Sequence, residues 1–192
     1  MSDEEIIADE PASDRRSIDL LLGLRAVREL LPDPIPDDAM ADILDVFRWT
    51  GSSRNRQPWN LVVVTDRGDL GTLARISGGN AAHAATAGAA LAIVLDGASD
   101  TEETHDDGRL SERLMLAAKA HGLGAAIGWL TTPEKQAAAK DFLGVPPERT
   151  LRTLISIGRV DEAARAARGT RPDARKPLAD TVHMGHFGAD DD

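Results

Sequence analysis

Ser52-Ser53-Arg54-Asn55-Arg56-Gln57-Pro58-Trp59 sets small hydroxyls, a carboxamide, a rigid proline and an indole at the junction between a helix and a strand. The helix before it is legible in Met40, Ile43, Leu44 and Phe47, one stripe at i, i+3, i+4, i+7 spacing, with Pro36 placed to open it and Gly51 to end it. The strand after it is Leu61-Val62-Val63-Val64, rich in β-branched residues. A rigid helix and strand aim the side chains of the loop between them, so this loop is the first candidate site. Asn55 brings two donors and an acceptor, the set that reads a pyrimidine edge, and Ser52 and Ser53 donate or accept. The plain alternative is a turn that sinks Trp59 into the core.

Outward from this loop, Ile18, Leu21 and Leu22 mark a first helix, which Ser13 or Asp14 is placed to cap. Leu70, Leu73 and Ala74 suggest a short helix, and Ala89 to Leu95 a continuous apolar strand buried on both faces. The longest helical period runs from about Glu103 to His121, with Leu110, Leu114, Ala117 and Ala118 on one face and Gly122 as the stop. A strand over Gly124 to Leu130, a helix from Pro133 to Leu143 and a strand over Leu151 to Ile157 follow. From Val160 onward no period holds, and the run is read as a functional arm. The reading divides the chain into an acidic flexible start (1–14), a folded domain (15–159), the arm (160–187) and an acidic tail (188–192).

A chain of 192 residues, 42% hydrophobic, supports one sizeable core. Its net charge of -10 argues against a nucleic-acid or anionic-membrane partner, which concentrated positive charge would grip. Much of that charge lies in Asp3-Glu4-Glu5 and Asp190-Asp191-Asp192, expected to stay solvated. With no Cys and no Tyr, the chain has no disulfide, thiolate or phenol chemistry. No apolar run approaches the ~20 residues of a membrane span, and the acidic start is unlike a secretory signal, so the expected compartment is the cytoplasm.

The remaining polar candidates are individually weak. Arg25 and Arg28, three apart, would converge on one anion if they shared a helical turn; otherwise they are a solvated helix end. Arg175-Lys176, with Arg171 nearby, is either an anion grip or an ordinary pair of tail cations. Trp129 after Gly128 is placed to flank a flat ring, or to fill the core at a strand end. His183 and His186 lack a third ligand, so no metal is expected. His121 reads as a helix C-cap, and Asp106-Asp107-Gly108 as a helix cap or turn. No nucleophile, carboxylate pair or phosphate-binding glycine signature stands out, which suits a bound flavin carrying its own chemistry.

Ser52-x-x-Asn55-x-Gln57-Pro58-Trp59 resembles the PSxxNxQPW signature of the flavin-dependent nitroreductase family, with Gly51 where that family usually has Pro. Arg25-Ala26-Val27-Arg28 is similar to its RRSxR element, with Leu24 in place of the first Arg and Ala26 in place of Ser. Asp107-Gly108, Met115 to Gly124, Ile157-Gly158 and Arg175-Lys176-Pro177-Leu178 follow in the family's order, so the likeness spans roughly residues 15 to 187. The resemblance implies an α+β fold with a central mixed, mainly antiparallel sheet surrounded by helices, and a homodimer holding FMN at the interface. It implies that Arg25, Ala26 and Arg28 line the cofactor, Arg28 stabilising its negative charge. Ser52, Ser53 and Asn55 would come from the partner chain, Gly128 and Trp129 would approach the ring, and Arg175 and Lys176 would meet the phosphate. It implies NADH or NADPH as reductant and a nitroaromatic, quinone or related small molecule as acceptor. A flavin-binding or sensing protein with little turnover, and a dimerisation module without cofactor, are the alternatives.

Overall fold

The computed structural model describes residues 13–169 and 175–188. The acidic runs at both ends and Arg171 lie outside the described residues, as does the capping expected of the Ser13 and Asp14 side chains. Two compact units divide after Asp161.

The first unit runs α1 (Ser13–Leu22), β1 (Leu30–Leu31), α2 (Asp37–Arg48), β2 (Trp59–Val64), α3 (Arg67–Ser77), β3 (Ala89–Leu95), α4 (Asp100–Ala120), β4 (Gly124–Trp129), α5 (Pro133–Leu143) and β5 (Thr150–Val160). β5 is the long strand that pairs with β1, β3 and β4, and β2 completes the sheet beside β3. The resemblance led to a mixed, mainly antiparallel sheet; every described pair is antiparallel.

β3 explains the layering. Every residue of Ala89–Leu95 is buried, as its unbroken apolar run requires. Leu91, Ile93 and Leu95 face one core with Ile43 of α2 and Leu110 and Leu114 of α4. Ala90, Ala92 and Val94 face the other, with Leu70 and Leu73 of α3 and Ala139 of α5. Capping follows the sequence. Asp66 accepts from Asp69 N, Ser99 from Glu102 N and Thr132 from Lys135 N, while Gly78 and Gly144 close α3 and α5 at positive φ.

Several expectations are corrected. α2 stops at Arg48, before Gly51, because the Thr50 hydroxyl donates to Val46 O at 2.9 Å and takes up a terminal carbonyl. Its buried residues are Ala39 and Ile43, whereas Leu44 is exposed. α1 likewise leaves Ile18, Leu21 and Leu22 exposed in the single chain. Asp106-Asp107-Gly108 lies inside α4 rather than at a cap, since Leu110 and Leu114 bury the helix on the side that follows it and Glu103 on the side before. His121 is the C-cap of α4, as expected, its backbone N–H donating to Ala118 O at 3.1 Å, while its ring bonds Asp42 Oδ2 at 3.0 Å. The second unit, expected to lack periodic structure, contains α6 (Glu162–Arg168), an alanine-rich helix with an Arg165–Glu162 ion pair, and a 3-10 turn at Leu178–Asp180. Among the described residues no helix is long and apolar enough to cross a membrane.

Candidate functional site

The 51–59 loop is held in a strained shape. Arg54, Asn55 and Gln57 adopt φ of 52°, 55° and 50°. Such left-handed conformations cost roughly 1 kcal/mol or more each for residues with a Cβ, least for Asn, and persist only where surrounding bonds impose them. Those bonds are present. Ser52 Oγ accepts from Gln57 N at 2.8 Å, and Gln57 Nε2 donates to Asn55 Oδ1 at 3.1 Å. Arg56 bridges to Glu102 at 2.7 Å and Asp96 at 3.3 Å, tying the loop to the start of α4. Arg109 reaches from α4 to Gly51 O and to Asp106. Trp59 is in the core, edge-on to Phe47 at 6.4 Å, so the indole anchors the loop instead of facing a ligand.

Between loop and helix lies a half-open cavity of about 360 Å³, lined among others by Ser52, Ser53, Arg56, His105 and Arg109. Ser53 is exposed and the Ser52 hydroxyl keeps its proton free to donate, while the Asn55 acceptor is taken by Gln57. Arg56 and Arg109 were not singled out in the sequence. Arg56 stood inside the decisive stretch without a signal of its role, and nothing marked Arg109, 58 residues away from its partner Gly51.

Behind the cavity α4 is tied to β5 by a buried carboxylate. Asp107 accepts from the Thr153 hydroxyl at 2.8 Å and from Ser111 at 3.3 Å. Burial raises its pKa above the ordinary carboxylate value, against the lowering by Thr153, Ser111 and Arg152. With the folded pKa raised, this group's stabilisation is full at acid pH and is lost as pH rises through the folded value. Asp107→Asn, which keeps an acceptor for Thr153, is therefore expected to raise stability at pH 7 by on the order of 1 kcal/mol. Denaturant melts at pH 7 and pH 5 test this, and the gain shrinks at pH 5. A gain independent of pH would rule out the carboxylate's charge as the cause.

The arginines of the 24–28 segment are not on a helical turn. After α1 the chain is neither helix nor strand until Leu30, and Val27 N donates to Ala125 O at 2.8 Å, tying the segment to β4. The helical turn on which Arg25 and Arg28 were expected to converge is absent. Arg25 donates to Leu22 O at 2.8 Å and Leu24 O at 2.7 Å, closing α1. Ala26 is exposed, and Arg28 is exposed with no hydrogen bond or ion pair among the described residues. Its charge acts on His83, a buried residue that sequence reasoning did not single out, although a histidine set in Ala81-Ala82-His83-Ala84-Ala85 is itself a signal.

Gly128 and Trp129 end β4. Gly128 is buried against Ala81, where a Cβ would overlap Ala81 Cβ and lie 2.8 Å from its Cα. Trp129 is 52% exposed, so its indole is on the surface and not in the core. The cavity at Ser52 and Ser53 is lined by none of Arg25, Ala26, Arg28, Gly128 and Trp129. Arg175 and Lys176 belong to the second unit and are exposed.

The nitroreductase family model matches residues 21–97, the span that contains the 24–28 segment, the 51–59 loop and His83. Over that span the chain is similar to the nitroreductase family. A provisionally named NADH dehydrogenase/NAD(P)H nitroreductase of Archaeoglobus fulgidus is 26% identical over 140 residues, 70% of this chain and 79% of that protein. An FMN-dependent nitroreductase from Clostridium difficile superposes with a TM-score of 0.76 at 20% identity, covering 88% of this chain and 99% of that one. An NADPH:FMN oxidoreductase from Vibrio harveyi, solved with NAD+, gives 0.74 at 22% identity over 91% of this chain and 79% of that one. The chain thus shares the fold of those structures.

Proposed function

We propose that this nitroreductase-like chain is an FMN-dependent oxidoreductase, acting as a homodimer, that takes electrons from NADH or NADPH and delivers them to a nitroaromatic, quinone or related small acceptor. The observation that carries the reading is Arg28: an exposed guanidinium with no hydrogen bond or ion pair among the described residues, on the segment tied to β4 through Val27. Exposed cations of this kind suit an anionic or polar-edged ligand.

The residues present fit a flavin. Its polar edge needs donors, which Ser52, Ser53 and the Asn55 amide supply. Its flat ring needs an apolar face, which the exposed Trp129 beside Gly128 offers. These two groups do not line a common cavity in one chain, which favours a site completed by a second copy, with the serines and Asn55 arriving from the partner. Arg175 and Lys176 are the remaining candidates for the phosphate, and the 160–187 arm is proposed as part of the cofactor site and the dimer.

Bound FMN supplies hydride transfer between nicotinamide and acceptor. The chain's own tasks are narrower. Arg28 holds negative charge on the ligand, the serines and Asn55 fix its orientation, and Trp129 shields a face from water. A second reading, flavin binding with little turnover, is favoured by Arg25, whose guanidinium is engaged with Leu22 O and Leu24 O.

The test is an absorbance spectrum of the purified protein with excess FMN, before and after anaerobic NADH or NADPH. A bound flavin band that bleaches supports the reductase. A bound band that persists with both nicotinamides supports the second reading, and no bound band overturns both.

A further inference from the structure

The half-open cavity between the 51–59 loop and α4 has no occupant in the reading above, which uses Ser52 and Ser53 only as donors to a flavin edge. Its other wall is one face of α4, where Thr101, Glu102, His105, Asp106 and Arg109 stand at i, i+1, i+4, i+5 and i+8. At about 360 Å³ the space is within the range of small-ligand sites, roughly 300–1,000 Å³.

The polar groups left over in this space are donors. The Arg109 side chain is 43% exposed, and only its Nη1 is engaged, by Gly51 O; Nε and Nη2 make no hydrogen bond among the described residues. Asp106 stands 3.6 Å from Nη1, beyond hydrogen-bond length, and its side chain is only 9% exposed. The other carboxylate on this face, Glu102, is held by Arg56 at 2.7 Å. Ser52 Oγ accepts from Gln57 N and keeps its own proton to give, and His105 is exposed with no hydrogen bond or ion pair among the described residues. The acceptors are thus engaged or set back, whereas Arg109 offers Nε and Nη2 side by side, the fork that meets both oxygens of a carboxylate. The donors are also fixed in place before any ligand arrives. Arg109 is tied to Gly51 O, and Arg56 ties the same loop to Glu102 and Asp96, so little ordering remains to oppose binding.

We propose that this cavity is the acceptor seat of the oxidoreductase and that it selects aromatic acceptors carrying a carboxylate, gripped by Arg109 with the Ser52 hydroxyl and His105 beside it. The inference rests on the flavin reading, in which Ser52 and Ser53 meet a flavin held by the other copy; a molecule in the cavity these serines line then lies against that flavin. The carboxylate is a handle and is unchanged by the reaction. An uncharged acceptor of the same shape fills the seat but leaves the Arg109 fork without a charged partner, and that difference is the source of the selectivity.

The test titrates benzoate, and benzamide as its uncharged isostere, into the protein supplied with excess FMN. It follows the bound flavin band and the His105 imidazole resonances, assigned by their loss in His105→Gln. Benzoate is expected to bind about tenfold more tightly than benzamide, the factor gained when a charge-assisted bond replaces a neutral one. It is expected to shift the His105 resonances and to perturb the flavin band, and Arg109→Gln to abolish the preference over benzamide. With flavin bound, equal affinities, no binding of either probe, or a preference that survives in Arg109→Gln overturns the inference and leaves the flavin reading standing; no bound flavin overturns both. Should Arg109→Gln not fold, the wild type decides alone, and benzoate that moves neither the His105 resonances nor the flavin band overturns the inference.

Discussion

Gly128→Ala is expected to lower the stability of the first unit by about 3 kcal/mol and its melting midpoint by roughly 6–12 °C. The reason is a close approach with nowhere to yield. A Cβ at this position would overlap the Ala81 Cβ, sit 2.8 Å from Ala81 Cα and 3.2 Å from Asn80 O. On the other side Gly128 is paired with Leu154 of β5, so β4 cannot retreat without breaking its ladder. Ala81 in turn is fixed through Ser77. Gly108→Ala is the control, since its added Cβ meets nothing within 4 Å. At that helical position alanine should stabilise by about 0.5–1 kcal/mol. Ala81→Gly combined with Gly128→Ala should recover only part of the loss, because the new methyl still presses on the backbone of residue 81. A wild-type melting curve for Gly128→Ala would show that the turn before β3 moves freely, contrary to the packing described.

The elements that sequence reasoning located well are those whose own residues decide them. β3 and α5 match their expected ranges, the one from an unbroken apolar run and the other from Pro at the first turn and Gly at the end. The elements it misjudged are those decided by a partner elsewhere. The course of residues 24–29 depends on β4, about a hundred positions later, so a three-residue spacing gave no warning that Arg25 and Arg28 do not share a helical turn. Asp107 inside α4 is intelligible only with Thr153 of β5 in place. The candidate site shows the same division. The composition of the 52–59 loop was legible as unusual, but its strained backbone is held in part by Arg109 and by Glu102 and Asp96, which no local pattern announces.

Arg28→Ala is expected to weaken FMN binding about 10–100-fold, the loss that follows from removing a charge-assisted hydrogen bond of about 1.5–3 kcal/mol. Its melting curve should stay within about 0.5 kcal/mol of the wild type, because the guanidinium is exposed and has no hydrogen bond or ion pair among the described residues to lose. Arg25→Ala should behave in the opposite way. Its two bonds to Leu22 O and Leu24 O close α1, so the substitution should cost about 0.5–1 kcal/mol of stability and change FMN affinity little. Arg28→Lys keeps the charge but not the planar fork of donors, and an intermediate affinity would show that both contribute. FMN titrations and thermal melts on the three variants read all of this. The pair of arginines makes the comparison internal: they are three residues apart on the same segment, and only the one without a structural task is assigned to the ligand. If Arg28→Ala binds FMN as the wild type does, or if Arg25→Ala alone loses it, that assignment is wrong and the ligand is held from a different face of the chain.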